Sequence, residues 1–302
     1  MGKPLEAKLK RLLGLAQPDR SWFDVRSPAG AGAAHLSLRY LGTAGFVLEA
    51  DGHAVALDPF VSRRGLVATF TRPLTVDRAL VRRHIPRAMD VLVGHAHFDH
   101  VLDGPEVCLQ TGARLIGSRA ACMVGRAAGL PERQLVETKG REDLASGPWT
   151  VRGLPSIHGK AVLGRVPLPG DLTAPPRWPP RATALPHGLV LNWVIDTGGL
   201  RIAHIDSADF LPDELRAHPV DVLCLCAIGR AYRPRYTEEA ITLLKPRWVV
   251  PCHWDTMVTP LEAEPDLLPG VDLPGFFQEI RAAGAEPLPV PLLGTLSFPR
   301  VR

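Results

Sequence analysis

No stretch of this 302-residue chain approaches the roughly 20 consecutive apolar residues of a membrane-spanning helix. The opening Met1-Gly2-Lys3-Pro4-Leu5-Glu6 has no cationic start, apolar core or small-residue cleavage site of the secretory kind, so a cytoplasmic location is the expectation. Cysteine is scarce. The five residues Cys108, Cys122, Cys224, Cys226 and Cys252 are odd in number and show no repeated C-x-x-C spacing, which argues against a disulfide framework. Cys224 and Cys226 alternate within Val222-Leu223-Cys224-Leu225-Cys226, a pattern that predicts two packed thiols on one side of a strand. There is also little excess of charge: 35 basic against 31 acidic residues leave a formal +4. Basic residues are interspersed with acidic ones rather than gathered into a stripe, which argues against nucleic acid as the main partner. The mild positive balance suits an anionic small substrate.

What is present suffices for a sizeable core, with 46% hydrophobic residues. Over Leu5 to Leu15, the residues Leu5, Leu9, Leu12 and Leu13 share a helical face opposite Lys8, Lys10 and Arg11. This face is expected to dock on the protein's own body, with peripheral contact to a membrane surface as the alternative. Residues 1–34 thus read as an amphipathic helix and a Gly/Ala-rich linker, and 35–302 as a single domain. Leu36 to Leu41 and Phe46 to Leu57 read as strands, the latter turned by Asp51-Gly52. Asp90 to Gly94 and Ala113 to Gly117 are strand-like, followed by a helix from Arg119 to Ala128 capped by Ser118. Leu189 to Ile195 and Leu200 to Ile205 flank a Thr197-Gly198-Gly199 turn. Val220 to Ala227 and Arg247 to Cys252 then bracket a helix begun at Thr237, with Glu238 and Glu239 in its first turn. Two β-rich halves with interleaved helices predict an α/β fold of two packed sheets covered by helices. The segment 162–188 carries seven prolines between Pro167 and Pro186, which forbid a long helix or a central strand. It follows His158 directly and is expected to lie over the active site.

His95-Ala96-His97-Phe98-Asp99-His100 sets four metal-ligating side chains within six residues, straight after the apolar run Val91-Leu92-Val93-Gly94. Three more residues repeat this arrangement at the ends of strand-like runs: His158, Asp206 and His253. Imidazoles and carboxylates delivered together to the rim of a sheet point to a metal or catalytic centre.

The pattern His-x-His-x-Asp-His, followed by a His, an Asp and a last His, resembles the signature of the metallo-β-lactamase superfamily. The resemblance runs from about Leu38 to Trp254 and leaves no ligand position substituted. It implies a four-layer αββα fold in which His95, His97 and His158 hold one metal and Asp99, His100 and His253 a second, with Asp206 bridging. Within the superfamily, Leu41-Gly42-Thr43-Ala44-Gly45-Phe46, Leu57-Asp58-Pro59-Phe60 and Pro251-Cys252-His253-Trp254-Asp255-Thr256 are similar to segments of the branch containing ascorbate-6-phosphate lactonase and N-acyl-phosphatidylethanolamine phospholipase D. The family's common Gly-Asp at the bridging carboxylate is Ile205-Asp206 here.

Nitrogen and oxygen donors without a thiolate suit two zinc ions, with manganese or iron also accepted. Such a pair would hold a hydroxide between its ions as the nucleophile, with Asp99 and Asp206 as the catalytic carboxylates. The expected activity is a dinuclear hydrolase cleaving an ester-type bond, a phosphodiester or a lactone, in an anionic small-molecule or lipid substrate. The alternatives are an iron-dependent dioxygenase of the same fold and a β-lactam or amide hydrolase. Asp58 is placed to orient a ligating histidine through its free nitrogen. Arg230 and Arg233 are candidate clamps for a phosphate or carboxylate, and His187, Tyr232 and Asp255 are candidates for contact with the substrate or its leaving group. His204 reads as a packed histidine, and His35, His53, His84 and His218 as surface residues. A homo-oligomer is compatible with the sequence.

Overall fold

A computed structural model describes residues 14–30, 33–161 and 163–301. The amphipathic helix expected over Leu5 to Leu15 lies almost wholly outside the described residues. The first half of the domain opens with an antiparallel meander of β1 (Leu36–Gly42), β2 (Gly45–Ala50) and β3 (His53–Leu57). Alternation sorts its side chains: Leu38, Phe46, Leu48, Val55 and Leu57 face one hydrophobic cluster, while Val47 and Ala56 face another. Three short strands, β4 (Asp90–Leu92), β5 (Arg114–Gly117) and β6 (Leu135–Glu137), then add in parallel.

The second half repeats the plan. β7 (Asp143–Ser146), β8 (Trp149–Ser156), β9 (Val190–Asp196) and β10 (Arg201–Ile205) form an antiparallel meander. β11 (Val222–Cys226), β12 (Trp248–Cys252) and β13 (Glu286–Pro287) follow in parallel. Finally β14 (Thr295–Phe298) returns to the first sheet as the antiparallel neighbour of β1. Among the described residues the sheet orders are β14-β1-β2-β3-β4-β5-β6 and β13-β12-β11-β10-β9-β8-β7.

One large apolar cluster, including Leu38, Phe46, Trp193, Leu223 and Val250, joins the two sheets. A second, with Val91, Val93 and Leu115, lies beneath the helices of the first sheet. Those helices include α1 (Leu66–Thr71), α2 (Arg78–His84), α3 (Phe98–Val101), α4 (Gly104–Thr111) and α5 (Arg119–Ala127). The predicted Ser118 cap is present, its side chain accepting from the Ala121 N–H. On the second sheet, α7 (Tyr236–Leu244) packs against α8 (Leu273–Ala282), with α6 (Pro212–Leu215) alongside. The architecture is the α/β arrangement of two mixed sheets flanked by helices that the sequence predicts. Among the described residues no helix is long and apolar enough to cross a membrane.

Two histidines depart from their surface expectation. His53 is buried with its ring 4.5 Å from that of Trp149 and a nitrogen 3.2 Å from Ser146 Oγ. His84 closes α2 and is likewise buried. An isolated histidine in a sequence carries no sign of the apolar ring that will cover it. All five cysteines are free and buried, as packed thiols should be.

Candidate metal centre

The seven residues converge because the ends of four strands do. β4 delivers the turn holding His95 and His97, and α3 begins immediately after it, placing Asp99 and His100 in a single helical turn. Just beyond α3, Asp103 ties this segment to the loop after β3, its Oδ2 accepting the N–H groups of Val61 at 2.6 Å and Ser62 at 2.8 Å. From the second sheet, β8 ends two residues before His158, while β10 and β12 end just before Asp206 and His253. Three groups result, each with ligand atoms within 4.8 Å of one another: His95/His97/His158, His95/His100/Asp206, and Asp99/His100/His253.

His95 Nε2 lies 3.0 Å from His97 Nδ1, and the His158 ring sits 4.7 Å from that of His95. His158 donates from Nδ1 to the Gly159 carbonyl at 2.7 Å, which leaves the Nε2 lone pair for a ligand. Asp99 Oδ2 is 3.3 Å from His253 Nε2 and 3.7 Å from His100 Nε2. Between the two groups, Asp206 Oδ2 approaches His95 Nδ1 to 2.6 Å and His100 Nδ1 to 3.5 Å. Asp206 Oδ1 is buried without a hydrogen-bond partner. Asp58 accepts from His100 Nδ1 at 2.9 Å and from the Gly94 N–H at 2.7 Å. A metal-ligating imidazole is commonly oriented in this way through its other nitrogen. Three non-glycine residues around the centre hold left-handed backbone, Asp58 at φ 39°, Thr43 at 49° and His253 at 53°. Such strain concentrates at functional sites.

The electrostatics favour cation binding. Burial and the surrounding imidazoles pull His95 and His100 well below the usual histidine range and His97 down to about 4, and burial lowers His158 as well. These four rings are therefore neutral at pH 7, with lone pairs available. Burial works against the Asp99 carboxylate, but His100 and His253 hold it below the ordinary range. Burial and the neighbouring Asp206 push Asp58 up, a clash of carboxylates that a cation would relieve. The donor set of imidazoles, carboxylates and one partnerless carboxylate oxygen fits a metal of the zinc type. The Cys226 thiol lines the same cavity, but burial raises its pKa well above the usual thiol range, so it remains a protonated wall residue.

The ligands open into a cavity of about 290 Å³ whose remaining wall is mostly apolar, with Phe70, Phe98, Leu168, Met257 and Leu268 prominent. Pro167, Leu168, Ala182 and Thr183 place the proline-rich segment on this wall. Within that segment the described residues form a turn at 163–164, a bridge residue at Arg165 and a 3₁₀ turn at Ala182–Ala184, with no longer helix or strand. His187 stacks on His158 at 5.4 Å and lies 5.8 Å from the His97 ring, with Nδ1 2.6 Å from the Gly188 carbonyl, but it is not part of the cavity lining. His204 is fully buried one step inside β10, edge-on to Phe46.

The other predicted substrate residues lie elsewhere. Arg230 pairs with Glu279 at 3.4 Å and donates to the Asp272 carbonyl, and Arg233 pairs with Asp209 and Glu239. Neither lines the cavity; each is committed to carboxylates and to the face of a phenylalanine, Phe276 and Phe210 respectively. Tyr232 is half exposed and also outside the lining. Asp255 is fully buried, 2.5 Å from Arg63 Nη1 and 2.5 Å from the Tyr40 hydroxyl, and so has no face toward substrate. Sequence reasoning missed Lys160, the basic side chain that does line the cavity. Its position two residues beyond His158 was the available signal.

No family model matches the sequence. Among curated proteins the chain is similar to a UPF0173 metal-dependent hydrolase of Myxococcus xanthus strain DK1622, 28% identical over 250 residues that cover 82% of this chain and 80% of the relative. Among solved structures it is similar to Igni18, a metallo hydrolase from Ignicoccus hospitalis, with a TM-score of 0.61 and 18% identity over 88% of this chain and 99% of the other. It also resembles the metallo-β-lactamase fold protein YhfI from Bacillus subtilis, with a TM-score of 0.53 and 12% identity over 88% of this chain and 100% of the other. The chain thus has the metallo-β-lactamase fold, and its sequence is similar to the UPF0173 metal-dependent hydrolases.

Proposed function

We propose that this protein is a metal-dependent hydrolase that cleaves an ester-type bond in a small, largely apolar substrate. The observation that carries the reading is the pair of ligand groups His95/His97/His158 and Asp99/His100/His253, linked by Asp206 at the base of one cavity. These residues would hold two zinc ions, or manganese or iron in their place. When bound, the ions supply Lewis acidity and lower the pKa of water toward neutrality. The similarity to proteins described as metal-dependent hydrolases supports the same reading.

The chain's own residues do the rest. Asp58 holds His100 in one ring orientation, and Gly94 gives Asp206 room beside the β4 strand end. Phe70, Phe98 and Leu168 keep bulk water from the reacting centre and grip an apolar acyl or alkyl group. Lys160 offers a cation to a negatively charged substrate group, the part first assigned to Arg230 and Arg233. His187, stacked on His158 and outside the ligand groups, is the further imidazole that a rearrangement of the cavity wall would bring to the leaving group. The resemblance to the lactonase and phospholipase branch favours lactones and phosphodiesters within the ester-type class.

The test is the initial rate on a chromogenic phosphodiester and a chromogenic lactone, comparing zinc-loaded parent with Asp206→Asn at matched metal content. Hydrolysis by the parent, reduced at least a hundredfold in the variant, is expected. Equal rates in the two proteins would sink the proposal, and the preferred substrate assigns the subclass.

A further inference from the structure

We propose that the buried ion pair between Arg63 and Asp255 is a positioning device for one half of the metal centre. It sets metal affinity at the Asp99/His100/His253 group and leaves the His95/His97/His158 group to its own supports. The inference rests on the two-metal reading above.

Both side chains are almost completely enclosed, 1% exposed for Arg63 and 0% for Asp255. Arg63 Nη1 lies 2.5 Å from Asp255 Oδ2 and 3.2 Å from the Thr256 carbonyl, and Nη2 lies 3.1 Å from the Leu41 carbonyl. The other carboxylate oxygen, Oδ1, accepts from the Tyr40 hydroxyl at 2.5 Å and from the Thr43 N–H at 2.8 Å. One ion pair thus ties the β1–β2 turn to the turn that follows β12. The tie reaches the ligands through Thr43, whose carbonyl accepts the His253 N–H at 2.5 Å. The Thr43 hydroxyl lies 3.4 Å from the Asp99 carbonyl.

Two independent features show how tightly this arrangement is specified. Thr43 and His253 both have left-handed backbone, which non-glycine residues keep only where their surroundings over-determine it. Between Leu41 and Thr43 stands Gly42, at φ 85°, where a Cβ would run into the Arg63 guanidinium. The turn, the guanidinium and the carboxylate are fitted to one another.

Support for the first group is separate. His158 is held by the Gly159 carbonyl, and the Gly159 N–H donates to Ser207 Oγ at 2.9 Å. Among the described residues, the hydrogen bonds of Arg63 and Asp255 reach none of His95, His97 or His158. Outer partners of metal ligands typically govern affinity by ten- to a hundredfold, and here that leverage falls on His253 and Asp99.

The experiment is a zinc titration of the full chain against a competing chromogenic chelator, in parent, Arg63→Met, Arg63→Lys and Arg114→Met. The last variant breaks another ion pair, with Asp90, at the opposite end of β4 from the ligands, and reports loss of stability alone. Two equivalents are expected for the parent and for Arg114→Met. Arg63→Met should keep one equivalent at parental affinity and bind the second at least tenfold more weakly, with Arg63→Lys between the two. Parental binding by Arg63→Met, or equal weakening of both equivalents, overturns the inference. A parent that takes up a single equivalent overturns the two-metal reading, and the inference with it. Should Arg63→Met fail to fold, Asp255→Asn, which keeps a hydrogen-bonding side chain of the same size, is read in its place against the same outcomes.

Discussion

Gly94 shows how little room the centre leaves. A Cβ at this position would collide with Asp206 Oδ2 and crowd Asp58 Oδ2, so the residue before the first ligand must lack a side chain. Gly94→Ala is expected to lose metal affinity by about ten- to a hundredfold, on the scale of other disturbed ligand supports. Metal content after dialysis, measured by plasma mass spectrometry, checks this; full retention would mean that Asp206 can move without cost. The seven ligand candidates were legible as residues because histidine and aspartate recur at the same place, immediately beyond apolar runs. Asp58 was legible for the same reason. Arg63 was not, since nothing in Val61-Ser62-Arg63-Arg64 distinguishes the arginine that turns inward from its neighbour. Arg230 and Arg233 misled for the opposite reason: Glu239 lies only six residues from Arg233, but Glu279 and Asp209 are distant in sequence, and only folding brings them to the two arginines.

At the scale of elements, the strands were legible from alternation and turn residues. Asp51-Gly52 joins β2 to β3, and Thr197-Gly198-Gly199 lies between β9 and β10. The pairing order was not legible, because a run such as Val222 to Cys226, buried on both faces, is equally apolar whichever strand lies beside it. The proline-rich segment was readable as irregular, and its place on the cavity wall followed from its proximity to His158. Leu168 is the test of that wall. Leu168→Ser removes an apolar contact and keeps the backbone group that hydrogen-bonds His97, and the KM for an apolar ester should rise about tenfold with kcat little changed. Steady-state kinetics decides: an unaltered KM would place the loop outside the substrate's path.

At the scale of the molecule, burying so many imidazoles makes stability depend on acidity. Burial brings His97 and His204 from 6.5 to about 4, and lowers His95, His100 and His158 as well. Between these limits the unfolded chain binds protons that these five rings refuse, so they take stability away as the pH drops from 6.5 toward 4, offset in part by Asp58 and Asp103, whose buried carboxyls are pushed up, Asp103 to about 6. His204, enclosed against Phe46, accounts for about 3 kcal/mol of that loss. Differential scanning calorimetry of the metal-free protein should show Tm declining through this window. Added zinc should raise Tm at pH 7, since it binds the folded state in preference, each site contributing about 2.7 kcal/mol of stability at a hundredfold excess over its Kd. A flat Tm between pH 6.5 and 4 would contradict the burial argument.

The two sheets divide the chain almost cleanly into halves, except that β14 leaves the second half to pair with β1. During synthesis the free side of β1 must therefore wait until Thr295–Phe298 has emerged from the ribosome. Through that interval Leu36 to Arg39 present unpaired backbone to any passing strand, a template for aggregation. β14 thus seals β1, and the first sheet is complete only after every strand of the second has been made.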